Sequence, residues 1–342
     1  MSSYHESTFR PKPREGVVQL APARMLAALE AQGTPADAPL LAWLAEHYQP
    51  GMPWGVLSNP TDRIRLLLRG VGTARAWWGD GAEQTETLMS GSDTTFERVY
   101  GSAATRGVVV LGDVRELRAT AAGGLTSFGG DIAGLPTGLT YLLVTGSNTL
   151  SGDIANLPTA LTILDVWGSN ELSGDIAGLP TGLTYLSVQG SNELSGDIAS
   201  LPTDLTYLRV LGSNTLSGDI ASLPTDLTYL SVLGSNELSG DIASLPTDLT
   251  YLFVLGSNTL SAPTTVLPAP LSYCRVSRLT NLEGSRYVDN VLAGMVAIIN
   301  ETKPRADRVV QLNEGGAHAP TAAGLADRDT LVAAGYTVSV AS

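Results

Sequence analysis

The tripeptide GSN ends in an asparagine at Asn148, Asn170, Asn192, Asn214, Asn236 and Asn258, always 22 residues apart. Nearly everything between those asparagines recurs too; one unit reads LTYLSVLGSNELSGDIASLPTD, residues 227–248. A unit this short cannot bury its own apolar face and must stack on its neighbours, so the pattern predicts a solenoid. Near-identical copies also serve as an internal comparison. Where they differ, something other than folding is a candidate for choosing the residue.

The chain has 342 residues and a net charge of −13. That charge is uneven. Residues 131–260 carry 1 basic and 13 acidic groups, while the segments before and after are close to balanced, at −1 and 0. An acidic body of this kind repels phosphate backbones, so nucleic acid is not an expected partner. The polar start MSSYHESTFRPKPREGVV lacks the basic and apolar regions of a signal peptide, and no apolar run is long enough to span a bilayer. Membrane insertion is therefore not expected. A single cysteine excludes an intramolecular disulfide framework.

Four segments are expected: 1–58, 59–115, 116–277 and 278–342. In the first, Ala21–Gln32 and Asp37–Gln49 place apolar residues at helical spacing. In the second, Arg63–Leu68, Thr73–Trp78, Thr85–Leu88, Phe96–Tyr100 and Gly107–Leu111 read as short strands of a small β-sandwich. Its WWGDGAE turn (Trp77–Glu83), with FERVY and GVVVLGDV following, resembles a PKD-like immunoglobulin-type domain. The family's histidine is replaced by Arg98. In the fourth segment, Tyr287–Asn300 and Thr321–Ala334 are helical in pattern, and Arg308–Leu312 and Tyr336–Ala341 read as strands.

The third segment carries the unit L-x-x-L-x-V-x-x-x-N-x-L-S-G-D-I-x-x-L-P from Leu139, Leu161, Leu183, Leu205 and Leu227; its first half, through the Asn and the following Leu, is present a sixth time from Leu249, with a degenerate seventh at Leu271. This resembles a leucine-rich repeat, mixing a plant-type LSGxI half with a bacterial LPxxL ending. The resemblance implies a β-rich α/β solenoid, a horseshoe with the helical segment and β-sandwich at one end and an α/β cap at the other. It also implies that the strand L-x-x-L-x-V-x lies on the concave side with its x positions facing out.

Within the unit, the leucines, valine and isoleucine at positions 1, 4, 6, 12, 16 and 19 are the expected core. The asparagine at position 10 should bond backbone of its own and adjacent coils in a buried ladder. Position 3 holds Tyr141, Ile163, Tyr185, Tyr207, Tyr229, Tyr251 and Tyr273, a stripe of rings about 4.8 Å apart. Stacked rings can stabilise the sheet, and tyrosine also suits an interface; both readings can hold together. The copies differ most at position 5 (Leu143, Asp165, Ser187, Arg209, Ser231, Phe253, Arg275) and position 7 (Thr145, Trp167, Gln189, Leu211, Leu233, Leu255, Ser277). Drift at exposed sites is one explanation. A covered surface is the other, because Trp167, Phe253 and a leucine ridge are unfavourable when bare. The expected ligand-binding residues are Trp167, Tyr185, Tyr207, Arg209, Leu211, Tyr229, Leu233, Tyr251, Phe253, Leu255, Tyr273 and Arg275.

The SGDI aspartates form a ladder whose bland explanation is a turn; calcium is the alternative, although no repeat has dense D-x-D spacing. His5, His47 and His318 lie in separate segments, and Cys274 replaces a core leucine. No catalytic constellation, metal set or cofactor loop is present, so no enzyme activity and no cofactor are expected. The domain combination resembles tailed-phage tail-fibre and bacterial surface proteins. It implies a non-enzymatic recognition protein of a phage tail or extracellular particle, binding a host-surface protein or glycan and attached to a larger assembly through its N-terminal region. A secreted bacterial adhesin or effector and a glycan-active enzyme are the alternatives.

Overall fold

A computed structural model of the protein describes residues 23–31, 38–49, 52, 54–59, 63–120, 129–146, 149–261, 271–276, 291–293, 295, 309–312 and 320–340. It is rich in strands, and from residue 129 onward the strands recur in a repeating parallel arrangement.

Two helices come first: α1 (Ala23–Ala31) and α2 (Ala38–His47). Met25, Ala28 and Leu29 share one face of α1 by their i, i+3, i+4 spacing, and Leu40, Trp43 and Leu44 do so on α2. Both faces close over Trp54, Val56, Trp77, Val109 and Leu111 of the strands that follow.

Those strands are β1 (Trp54–Asn59), β2 (Arg63–Trp77), β3 (Glu83–Leu88), β4 (Thr94–Val99) and β5 (Arg106–Ala119), paired antiparallel. The two strands expected over 63–78 are one bent strand, β2. Bulges between Arg69 and Gly70 and between Val71 and Arg75 let it pair with β4 along its first half and with β3 along its second. A bulge adds a residue on one side of a ladder and turns the strand, so a continuous apolar pattern can wrap two sides of a core. The turn aspartate is structural. Asp80 Oδ1 accepts the Ala82 N–H at 3.1 Å, and its Oδ2 takes two bonds from Arg98, at 2.9 and 2.6 Å.

The boundary expected at 115/116 falls inside β5. Its last residues, Glu116–Ala119, pair in parallel with Tyr141–Val144 of β7. The antiparallel unit therefore seats the first coil on its own strand. Ion pairs brace that junction: Arg69 to Asp93 at 2.6 Å, Arg118 to Asp93 at 2.9 Å and Arg118 to Glu116 at 2.7 Å. The Arg118 guanidinium also lies 4.7 Å from the Tyr141 ring centre.

From Leu139 through the repeat that starts at Leu227, each repeat supplies a strand beginning at position 3, a strand segment around LSGD and a single 3-10 turn; of the repeats from Leu249 and Leu271 the described elements are strands. The first-strand series is β7 (Tyr141–Val144), β9 (Ile163–Asp175), β10 (Tyr185–Gly190), β12 (Tyr207–Asp219), β13 (Tyr229–Gly234), β15 (Tyr251–Leu255) and β17 (Tyr273–Val276). β9 and β12 run through both segments without a break. Elsewhere the second segment is separate, as β6 (Gly129–Asp131), β8 (Thr149–Asp153), β11 (Glu193–Asp197), β14 (Glu237–Asp241) and β16 (Thr259–Ser261). The repeat pattern marks one strand per coil, L-x-x-L-x-V-x; the structure adds a second strand segment at LSGD, separate in most coils and continuous with the first in β9 and β12. The register advances by one repeat at each step, as Tyr185↔Tyr207, Tyr207↔Tyr229 and Tyr229↔Tyr251 show.

Because the register is in phase, identical residues stack. Leu142, Leu164, Leu186, Leu208, Leu230 and Leu252 form one buried line, and one apolar core runs from the antiparallel unit to the C-terminal elements. The asparagine ladder is buried as expected. Asn236 Oδ1 accepts from Leu216 N at 2.9 Å while its amide donates to Leu255 O at 3.4 Å. Asn170 does the same with Leu150 N and Gln189 O, and Asn148 lies outside the described residues. The threonines at position 2 bond coil to coil, Thr206 N to Thr184 O at 2.8 Å with its hydroxyl on the same oxygen.

The SGDI aspartates cap the 3-10 turns. From Asp131 to Asp241, each Oδ1 accepts the N–H two residues on, at 2.8 or 2.9 Å. The preceding glycine is required there: Gly174 has φ +110°, and a Cβ on it would collide with Asp153 Oδ1 of the coil before. Among the described residues no group of three or more metal-ligating side chains converges.

After β17 the stack continues with β18 (Val309–Leu312) and β19 (Thr337–Val340), both parallel, and helix α3 (Ala322–Ala333) between them. Of the helix expected over 287–300, residues 291–293 and 295 are described and are helical. Leu292, Met295, Val310, Leu331 and Tyr336 join the common core. Cys274 is buried in it as a thiol, pushed up to about 12 by desolvation alone. Among the described residues no helix is long and apolar enough to cross a membrane.

Candidate functional site

In a strand, alternate residues face alternate sides. Positions 4 and 6 point into the core, so positions 3, 5 and 7 share the outer face of the first-strand sheet. The parallel register then converts each position into a row across neighbouring coils. All twelve expected binding residues lie on this one face.

The position-3 row is a packed rail. Tyr185, Tyr207, Tyr229, Tyr251 and Tyr273 stack at centroid spacings of 4.2 to 4.3 Å, with interplanar angles of 8 to 14°. Ile163 interrupts the row, which leaves Tyr141 apart, under Arg118. Ring faces that cover one another are not available to a ligand; the rail presents ring edges and hydroxyls. Burial is the main cause that raises the Tyr207 and Tyr251 hydroxyls above the ordinary tyrosine value, with neighbouring tyrosines adding to it.

From Asp165 to Phe253 the position-5 row alternates longer side chains with serines, and Arg275 then follows Phe253 directly. Asp165, Ser187, Arg209, Ser231, Phe253 and Arg275 follow one another in register. Ser187 and Ser231 are buried beneath their longer neighbours. Arg275 lies 5.1 Å from the Phe253 ring centre, and Phe253 is tilted against Tyr273 at 6.5 Å. Phe253, Leu211 and Leu255 are half-buried; only Leu233 of the ridge, at 39%, is openly exposed. The ridge is therefore shallower than expected.

At the other end, Trp167 is 40% exposed. Its indole Nε1 donates to Ser187 Oγ at 3.1 Å, and the Arg209 guanidinium carbon lies 5.0 Å from its ring centre. Arg209 reaches there across Ser187, which is small enough to let it pass. Asp165 sits beneath this group with Oδ1 buried and lacking any hydrogen-bond partner. Burial pushes its carboxyl above the ordinary carboxylate range, while hydrogen bonds from Ser187 and Trp167 and the charge of Arg209 hold it back. Asp165 and Ser187 belong to this cluster, although the variability argument did not select them as ligand-binding. The long-short alternation along position 5 is the sequence signal that marks them.

The raised carboxyl has a consequence for stability. An acid whose folded pKa lies above its unfolded value binds its proton more readily when folded. Stability therefore declines as pH rises from below the unfolded value, about 3.9, through the raised folded one, and stays lowered above it. Asp165→Asn removes the charge. Its Tm relative to the wild type is expected to be higher at pH 7 than at pH 3, measured by calorimetry in parallel buffers. A Tm difference that stays constant across that range rules out a desolvated Asp165.

Neither the protein-family comparison nor the comparison with curated proteins gives a match. Among solved structures, the chain is similar to a plant peptide hormone receptor, RGFR1 in complex with RGF2, at 26% identity. The match covers 44% of this chain and 27% of that one, with a TM-score of 0.31. That likeness is too loose to carry an argument about fold or site.

Proposed function

We propose that the stack is a leucine-rich-repeat solenoid and that its Tyr-bearing face binds a protein or glycan ligand without catalysing a reaction. The observation that supports this is the gathering of unlike, large side chains at positions 5 and 7 of strands whose other positions are nearly invariant. Trp167, Leu233, Phe253, Arg209 and Arg275 share that face, and aromatic and arginine side chains are the usual anchors of interfaces. One carboxylate, Asp165, is present among them, which favours binding over hydrolysis by a carboxylate pair. The setting we propose is a phage tail or tail-like particle, with the N-terminal unit as its attachment point. Sequence resemblance alone supports that setting, and a secreted bacterial adhesin or effector fits the same face.

The test is binding of labelled protein to candidate host surfaces and to protein and glycan arrays. Phe253→Ala is expected to weaken binding of the captured target by roughly 1–3 kcal/mol, since truncating an anchor loses its contact area. Its effect on Tm should be smaller than that of any core leucine, because the ring is half-buried. Unchanged binding by both Phe253→Ala and Leu233→Ser removes this face as the site.

A further inference from the structure

Resting on the binding role of this face, we infer that its partner is a polypeptide: a basic, amphipathic segment lying along the position-7 row. Its apolar side covers Trp167, Leu211, Leu233 and Leu255, and its cations face the glutamates at position 11.

The outward face does not stop at position 7. β9 and β12 run unbroken through the corner of the repeat, and in both of them positions 7, 9 and 11 are accessible while positions 10 and 12 are buried. The alternation of positions 3, 5 and 7 therefore carries on to a serine row at position 9 and a further row at position 11. That last row reads Glu171, Glu193, Thr215, Glu237 and Thr259, and its three glutamates are exposed. No ion pair among the described residues involves them. The position-7 row beside it is in register across five strands, as Trp167, Gln189, Leu211, Leu233 and Leu255. Trp167 and Leu233 are openly exposed, and Leu211 and Leu255 are half-buried. At about 4.8 Å per strand the row is about 19 Å long.

Shape and charge together select the partner. An apolar stripe of this length gains by being covered. On a helix, one apolar side chain per turn recurs about every 5.4 Å along the axis, close to the strand spacing; residues on one side of an extended segment are about 6.7 Å apart. A helical segment of about thirteen residues spans the row. Charge sets its polar side. Residues 131–260 hold 13 acidic groups and one basic one, Arg209. Arg209 is engaged within the face, with its guanidinium on the Trp167 ring and its charge acting on Asp165. No cation of the repeats is left to face the glutamate row, so a basic partner is attracted and an acidic one repelled. The surface between the coils of Trp167 and Gln189 is hollowed, and Glu171, Ser173, Ser191 and Glu193 line that hollow. Carboxylates and hydroxyls accept hydrogen bonds from an ammonium or guanidinium group.

Trp167 makes the row observable. The other four tryptophans, Trp43, Trp54, Trp77 and Trp78, are all buried, so acrylamide quenching of the full chain reports mainly Trp167. The probe is a peptide of about thirteen residues with leucines at i, i+3, i+4 and i+7 spacing and lysines between them. One control peptide has glutamates in place of the lysines, and another has serines in place of the leucines. In 0.1 M salt the leucine–lysine peptide is expected to protect Trp167 from quenching, and each control to do so at concentrations about tenfold higher or not at all. Leu233→Ser should weaken that protection about tenfold, the scale of one leucine contact. Exposed ion pairs are individually weak, so the glutamates are changed together. Glu171→Gln, Glu193→Gln and Glu237→Gln should weaken protection about tenfold. Asp204→Asn, Asp226→Asn and Asp248→Asn make the same change of charge ahead of the first strands, at the other rim, and should alter it less than about twofold because salt screens charge at that distance. The inference is overturned if the leucine–lysine peptide leaves Trp167 quenchable, if the leucine–glutamate peptide protects it as well, if the two triple variants lose affinity equally, or if Leu233→Ser binds as the wild type does. If it is overturned while Phe253→Ala still weakens binding of the captured target, the face remains a binding face with another kind of partner. If Phe253→Ala and Leu233→Ser both keep full target binding, the reading of the face itself has failed.

Discussion

Removing residues 278–342 is expected to turn a monodisperse protein into an aggregating one, with its cooperative melting transition lost or greatly lowered. The reason lies in the last repeat. β17 is not an edge: Tyr273, Cys274 and Arg275 pair with Val309, Val310 and Gln311, and β18 pairs onward with β19. Val310 and Leu331 are fully buried, and Tyr336 nearly so, in the core that runs the length of the stack. Fully burying such side chains is worth roughly 1.5–3 kcal/mol each. Without them, Cys274, Val276 and Leu271 meet water, and a parallel strand presents unpaired N–H and C=O groups as a template for another chain. Stacked repeats depend on neighbour contacts, so loss at one end propagates inward. Size-exclusion chromatography and a thermal melt of the truncated chain decide the matter. A truncated protein that stays monomeric with an unchanged Tm means that the C-terminal elements are a separate module.

Leu230→Ala is expected to cost about 2–5 kcal/mol of folding stability, the range for emptying a leucine site in a packed core. Leu230 is 1% exposed and sits in register between Leu208 and Leu252. Each coil touches only its two neighbours, so few side chains can shift to fill the cavity, and the cost should lie toward the upper part of that range. Two residues downstream the face changes sides twice, and Val232 is again buried. Ser231, between them, belongs to the outer face and lies under Arg209 and Phe253. Chemical denaturation of Leu230→Ala beside Phe253→Ala separates core from face. A smaller loss at Leu230 than at Phe253 would contradict the assignment of sides.

Much of this was legible in the residues. The 22-residue period places the buried leucines, the asparagine ladder and the outward rows, because a strict period in a stacked chain forces each position to meet its own copy. The bland explanation of the SGDI aspartates also holds: each caps a 3-10 turn by accepting the N–H two residues on. The helices 38–47 and 322–333 and the strands 309–312 and 337–340 fall where their patterns place them.

Other features depended on three-dimensional contact. Hydrophobic alternation from Arg63 to Trp77 reads as two strands, and only the pairing partners show one strand bent at bulges. The 115/116 boundary followed a change of sequence pattern, whereas β5 serves both the antiparallel unit and the first coil. The period alone also could not grade the outward side chains. It presents Tyr207, Phe253 and Leu233 as equally exposed, yet ring stacking uses up the tyrosine faces, Arg275 covers part of Phe253, and Leu233 stands free. Nor could it join Asp165 to Arg209, 44 residues later. A repeat determines which row a residue occupies, because register is a property of the period. How side chains within a row lean, cover and desolvate one another is decided by their sizes across neighbouring coils, and that is settled only when the coils are packed.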